Sequence, residues 1–118
     1  MNPVEDYIWQ KKSPIKEIMS HVHSLSIGFR DVSCALKWSL PMYIIDKKHR
    51  WYMNPLKTGG IELVFIQSQK FAPEFKVLLQ QKSRKLMMGI TIKSIDDPSL
   101  EEVPALLDHA IKISTGVL

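Results

Sequence analysis

The pattern predicts an α+β domain, with one antiparallel sheet of about five strands packed by N-terminal and C-terminal helices. Three observations predict it. Apolar residues recur at helical spacing near each terminus, and between Val32 and Ile66 the apolar runs become short, aromatic and β-branched. The breaks between those runs are far shorter than the dozen or so residues that a parallel crossover needs. At 118 residues, the chain is short of the roughly 150 of an average domain, so residues 1–118 are read as a single domain.

Asn2 serves as an N-cap, with Pro3 at the first helical position and Glu5 and Asp6 in the electropositive first turn. Val4, Tyr7 and Ile8 share one face of this helix, and Lys11 and Lys12 suit its C-terminal end. Ser13 followed by Pro14 starts a second helix by the same logic. Its stripe is Ile15, Ile18, Met19, Val22 and Leu25, and Gly28 ends it.

The strand region is interrupted at Pro41, at Asp46-Lys47-Lys48-His49-Arg50 and at Thr58-Gly59-Gly60. A hairpin centred on Lys48 pairs Ile45 with Trp51 and Tyr43 with Met53. One centred on Thr58 pairs Met53 with Leu63 and Trp51 with Phe65. Together the registers place Tyr43, Ile45, Trp51, Met53, Ile61, Leu63 and Phe65 on one face, the expected core. Met42, Ile44, Tyr52, Asn54, Glu62, Val64 and Ile66 fall on the other, with Asn54 opposite Glu62.

Gln67 to Arg84 is polar, with Pro73 able to start a short helix bearing Phe75, Leu78 and Leu79. Leu86 to Lys93 alternates as a last strand, Met88, Ile90 and Ile92 on one side and Met87, Gly89 and Thr91 on the other. Ser99 and Glu102 read as a capping box for the final helix, whose stripe is Val103, Leu106, Leu107, Ala110 and Ile111. Pro104 fits if regular helix begins near Val103.

Composition narrows the function classes. At 45% hydrophobic and 24% charged residues the chain matches ordinary globular usage, against a disordered, collagenous or membrane-spanning one. Sixteen Lys and Arg against twelve Asp and Glu give +4, far from the concentrated basic face of a nucleic-acid binder. Cys34 is the one cysteine, so neither an intrachain disulfide nor a multi-cysteine metal site can form, which favours a reducing cytoplasm. Met1 to Lys12 lacks the apolar core of a secretory signal, and no apolar run is long enough for a membrane helix. The expectation is a cytoplasmic protein without membrane contact.

No catalytic constellation emerges. The glycines match neither GxxxxGK nor GxGxxG, and no nucleophile and base can be paired. His21 and His23 diverge by about 200° on a helix and cannot share a metal. His49 and His109 are expected to be exposed, and Cys34 to be a structural thiol. Lys82, Arg84, Lys85 and Lys93 form a basic cluster, most simply a solvated face. Trp9, Trp38, Trp51, Tyr43 and Tyr52 could stack nucleobases, but four of the five fall where the sheet itself needs filling.

Glu62 differs, because a carboxylate in mid-strand among apolar neighbours needs a partner, such as Lys37 or Lys93, or a wet cleft. Lys37, Trp38, Pro41, Asn54 and Glu62 are therefore the candidate ligand-binding set on the second face, for a small ligand, a protein partner or a second copy of the chain. No cofactor is indicated.

The run Leu36-Lys37-Trp38-Ser39-Leu40-Pro41-Met42-Tyr43, followed by Trp51-Tyr52-Met53-Asn54 and Ile61-Glu62-Leu63-Val64-Phe65-Ile66, resembles the YdhG-like domain-of-unknown-function family. Ser83-Arg84-Lys85 and Ile92-Lys93-Ser94 resemble its last-strand segment, and the likeness runs from Val4 to Ile113. The resemblance implies a small soluble bacterial protein, an antiparallel sheet packed by terminal helices, and no established enzyme activity. Some members are described as frataxin-like intracellular iron chaperones, which offers iron delivery through Asp96, Asp97, Glu101, Glu102, Asp108 and His109 as an alternative function. Local chemistry argues the other way, since the chain is net basic and most of those acids sit where a helix N-terminus attracts carboxylates without metal. No metal site is expected, and a noncatalytic binding or carrier domain is preferred over iron delivery and over a small enzyme.

Overall fold

The computed structural model describes residues 2–80 and 87–116. Helices α1 (Pro3–Trp9) and α2 (Ile15–Ile27) precede strands β1 (Ser33–Lys37), β2 (Leu40–Ile45), β3 (Lys48–Pro55) and β4 (Ile61–Phe65). A short 3-10 turn at Ser68–Lys70 and helix α3 (Pro73–Lys76) lead to β5 (Met88–Ile92), and a second 3-10 turn at Pro98–Glu102 leads into α4 (Val103–Ser114). The five strands form one antiparallel sheet in the order β1-β2-β3-β4-β5, the α+β architecture the pattern predicts. Of the basic cluster only Lys93 lies among the described residues. Lys82, Arg84 and Lys85 lie outside them, as does the Leu86 start expected for the last strand.

Local signals at the helix ends hold with three corrections. Asn2 caps α1 by accepting the Glu5 N–H at 2.8 Å. Because α1 stops at Trp9, Lys11 falls beyond its end and places its ammonium 4.3 Å from the Tyr7 ring centroid. At α2 the Ser13 hydroxyl bonds the Glu17 carboxylate at 2.6 Å, so it does not cap the backbone. At the other end Asp97, not Ser99, is the capping side chain. Its carboxylate takes both the Ser99 N–H at 2.9 Å and the Lys93 N–H at 2.7 Å, tying the end of β5 to the following turn.

The first hairpin is tighter than its expected centre at Lys48. Asp46 and Lys47, at φ 54° and 64°, form a two-residue turn. This left-handed pair follows the twist of the flanking strands, and aspartate is among the residues that tolerate it. Tyr43 therefore pairs with Trp51 rather than Met53, and a register shift between Tyr43 and Ile44 brings Ile44 opposite His49. Sliding Tyr43 from Met53 to Trp51 is a two-residue step, and beyond the shift, where Ile45 lies opposite Lys48 rather than Trp51, the odd residue is taken up at Arg50, so no side chain of β2 changes face. The second hairpin has the expected register, Trp51 with Phe65 and Met53 with Leu63. Its turn needs Gly60, whose φ is +80° and where a Cβ would run into the Ile92 carbonyl oxygen.

The core lies between the first sheet face and the helices. Tyr43, Ile45, Trp51, Met53, Ile61, Leu63 and Phe65 are buried there with Ile18, Met19 and Val22 of α2 and Leu106, Leu107 and Ala110 of α4. A chain of rings runs through it. Tyr43 stacks on Trp51 with centroids 5.9 Å apart, and Phe65, then Phe71, continue the series at 6.2 and 5.3 Å. A histidine closes each end: His23 lies 5.8 Å from Tyr43, and His109 lies 4.8 Å from Phe71. No helix among the described residues is long and apolar enough to cross a membrane.

Candidate functional site

The second sheet face is organised in rows that the strand registers set. Met42, Tyr52, Val64 and Gly89 pair in sequence from β2 to β5, and beside them Asn54, Glu62 and Thr91 pair from β3 to β5. The first row is a small second core, with Leu40, Ile44, Ile66 and Met87 packed around Met42, Tyr52 and Val64. The second is polar, yet Glu62 is only 2% exposed. Gly89 makes room for it. A Cβ there would meet the Leu63 carbonyl oxygen at 2.7 Å and the Glu62 Cγ and Oε2 at 3.0 and 3.2 Å, so the absence of a side chain lets the glutamate lie across β5.

The β1–β2 connection is a second two-residue turn. Trp38 and Ser39 occupy it at φ 55° and 61°, a backbone region that costs a bulky residue on the order of 1–3 kcal/mol. The Trp38 indole is 62% exposed and stands edge-on to Tyr52 and His49, with both centroid separations 6.0 Å. It does not fill the sheet as the sequence suggests. It sits on the rim of the second face, above the one aromatic residue of the apolar row.

The five candidate residues thus separate. Trp38 in the turn adjoins the exposed Lys37 at the end of β1, and Pro41 is buried within β2 opposite Leu36. Asn54 and Glu62 are directly opposite each other in the polar row. The structure connects these groups through Tyr52, which touches Trp38 and lies two residues before Asn54 on β3.

Two histidines, His109 and His49, correct the sequence reading. His109, expected on the surface, is buried at 6% exposure. Its Nε2 accepts the Ala72 N–H at 3.0 Å, so the neutral ring carries its proton on Nδ1. The ring stacks on Phe75 with centroids 4.1 Å apart. Burial holds its pKa below the usual histidine value against the opposing charges of Glu74 and Asp108. It lines a cleft of about 590 Å³ with Lys70, Glu74, Asp108 and Lys112, and the last two form an exposed ion pair at 3.0 Å. His23 is buried as well, with Nδ1 2.7 Å from the Tyr43 hydroxyl, and burial lowers its pKa against the charge of Glu5. The signal for both lay in the spacing, since His23 is four residues after Met19 and His109 three after Leu106, on the flank of each apolar stripe. His49 is half-buried by Trp38 rather than exposed.

Cys34 is half-buried opposite Tyr43, and burial pushes its thiol pKa up, away from the thiolate a nucleophile needs. Among the acidic residues, Asp97 is engaged by two backbone N–H groups and Asp108 by Lys112. No group of three or more His, Cys, Asp or Glu side chains is arranged to hold a metal ion among the described residues. Comparisons with protein-family models, with curated proteins and with solved structures return no match.

Proposed function

We propose that this chain is a noncatalytic binding domain that holds a planar, anionic ligand against the Trp38 turn at the rim of the second sheet face. The observation that carries the reading is Trp38 itself, a large apolar side chain 62% exposed on a left-handed backbone. Asparagine or glycine would make this turn with less strain, so the turn's own geometry gives no reason for an indole. Strain of this kind, held in place by surrounding structure, is a recurrent mark of ligand contacts.

The surroundings give the ligand its chemistry. Tyr52 and His49 brace the indole from the strand side and leave most of its surface free for stacking. Lys37 adjoins it, Lys48 is exposed beside His49, and the chain carries a net charge of +4, all of which favour an anionic group on the ligand. The buried Met42–Tyr52–Val64 row beneath supplies a rigid floor. The two buried histidines, His23 and His109, each have one nitrogen committed to Tyr43 or Ala72, which fits binding rather than turnover.

The test uses anilinonaphthalene sulfonate, a planar aromatic anion, titrated into the folded protein and followed by its fluorescence. Saturable binding is expected in the wild type. Trp38→Gly, which suits the positive φ, should weaken it by about tenfold or more while the melting temperature stays within a few degrees. Equal affinity in the variant would overturn the proposal.

A further inference from the structure

We propose a second ligand site, independent of the Trp38 rim, in the cleft between α1 and α2: it takes a small planar carboxamide whose carbonyl accepts from His23 Nε2 and whose N–H groups donate to Glu5. The starting observation is an unpaired buried nitrogen. His23 is 7% exposed and its Nε2 has no hydrogen-bond partner among the described residues. Buried polar atoms are nearly always satisfied, so an exception calls for a missing partner.

The character of that nitrogen follows from its neighbour. Tyr43 is fully buried, and its hydroxyl lies 2.7 Å from His23 Nδ1. Among the described residues Nδ1 is the hydroxyl's one hydrogen-bond partner, so the buried phenol proton is satisfied only by donation to Nδ1. The neutral imidazole is then the Nε2–H tautomer. What the site lacks is an acceptor.

The cleft has a volume of about 410 Å³ and is lined by Glu5, Ile8, Trp9, Ser20, His23 and Ser24. Its two walls are complementary. Glu5 and Trp9 are one turn apart on α1 and offer a carboxylate and an indole, while Ser20 and Ser24 are one turn apart on α2 and line the wall that also carries His23. The Lys16 ammonium, 4.6 Å from the Trp9 ring centroid, braces the indole.

These groups discriminate among simple ligands. A carboxylate would satisfy Nε2–H but face Glu5, the one charged residue lining the cleft. An amine would pair with Glu5 but leave Nε2–H unpaired. A carboxamide answers both in one plane, and an attached ring can lie against Ile8 and Trp9.

Benzamide, benzoate and benzylamine separate these cases. With the full chain isotopically labelled, saturable shifts of the His23 ring and Trp9 indole signals are expected on adding benzamide, with benzoate and benzylamine weaker by about tenfold or more. His23→Gln leaves the Tyr43 hydroxyl with altered geometry and can compromise folding, so the informative variant is Glu5→Gln, at a half-exposed position of α1. It should narrow the gap between benzamide and benzoate by about tenfold, because the repulsion of the anion is gone. Benzoate matching benzamide in the wild type would overturn the proposal. So would an absence of saturable shifts at His23, or an unchanged preference in Glu5→Gln.

Discussion

On the face toward α2 and α4, the cross-strand pairs Tyr43–Trp51, Trp51–Phe65, Met53–Leu63 and Leu63–Ile90 are all apolar and all covered by helix. On the opposite face a covered apolar row, Met42–Tyr52–Val64, runs beside a row containing Asn54 and Glu62, and an exposed indole stands at its rim. Both faces come from alternate residues of the same strands, so neither propensity nor strand order explains the difference. The uniform face accounts for the fold, because burial there needs nothing but shape and volume. The mixed face carries groups that folding alone does not require: a glutamate fitted across a glycine and a tryptophan held on a strained turn.

Substitutions on the two faces sharpen this contrast. Phe65→Ala removes a fully buried ring from the middle of the aromatic chain and should cost about 3–5 kcal/mol in denaturant unfolding. Met42→Ala, fully buried on the other face, should cost about 2–5 kcal/mol, since that row is a true core. A value near zero for Met42→Ala would show the second face to be surface and break the comparison.

The histidines at the ends of the core make a pH prediction. Both have pKa values held below the ordinary 6.5 by burial. Between the folded values and 6.5 the unfolded chain binds protons that the folded chain does not. Their contribution to stability is therefore complete above that pH, declines as pH falls through it, and levels off once the folded histidines protonate as well. Thermal melts should show this decline, and His109→Gln should reduce it. A melting temperature that rises on acidification through this range would contradict the assignment of neutral, buried rings.

The smallest stability effect is expected at Trp38. Glycine relieves the left-handed backbone but loses the ring contacts with Tyr52 and His49, so Trp38→Gly should change stability by less than about 1 kcal/mol. A loss as large as that of Phe65→Ala would make Trp38 a structural residue.

The fold was legible in the sequence because its signals are local and redundant. Asn2-Pro3 starts α1, the Thr58 turn sets the β3–β4 register, and the face assignments survive a misplaced first hairpin because the displacement is two residues at Tyr43 and the odd residue beyond it is taken up by the register shift. The site was legible only in part. Trp38 and Ser39 carry none of the usual chemistry of a left-handed turn, so the indole looked like sheet filling rather than a rim. Burial of His23 and His109 depends on Tyr43 and Ala72, which are 20 and 37 residues away in sequence. Spacing puts each histidine on the flank of a stripe, but only tertiary packing decides whether a partner closes over it. The 3-10 turn before α4 was hidden for a similar reason, since Asp97 is chosen as its cap by simultaneous contacts with Lys93 and Ser99.

The central claim is that the mixed face binds through Trp38, and the chain's three tryptophans allow a direct measurement. Trp38 and Trp9 are exposed on different parts of the molecule, and Trp51 is fully buried. Incorporation of fluorotryptophan gives one fluorine resonance for each, which can be followed during titration with anilinonaphthalene sulfonate. The Trp38 resonance should shift and saturate while those of Trp9 and Trp51 stay in place. Saturation at Trp9 with Trp38 unmoved, or no saturable shift at all, would contradict the account.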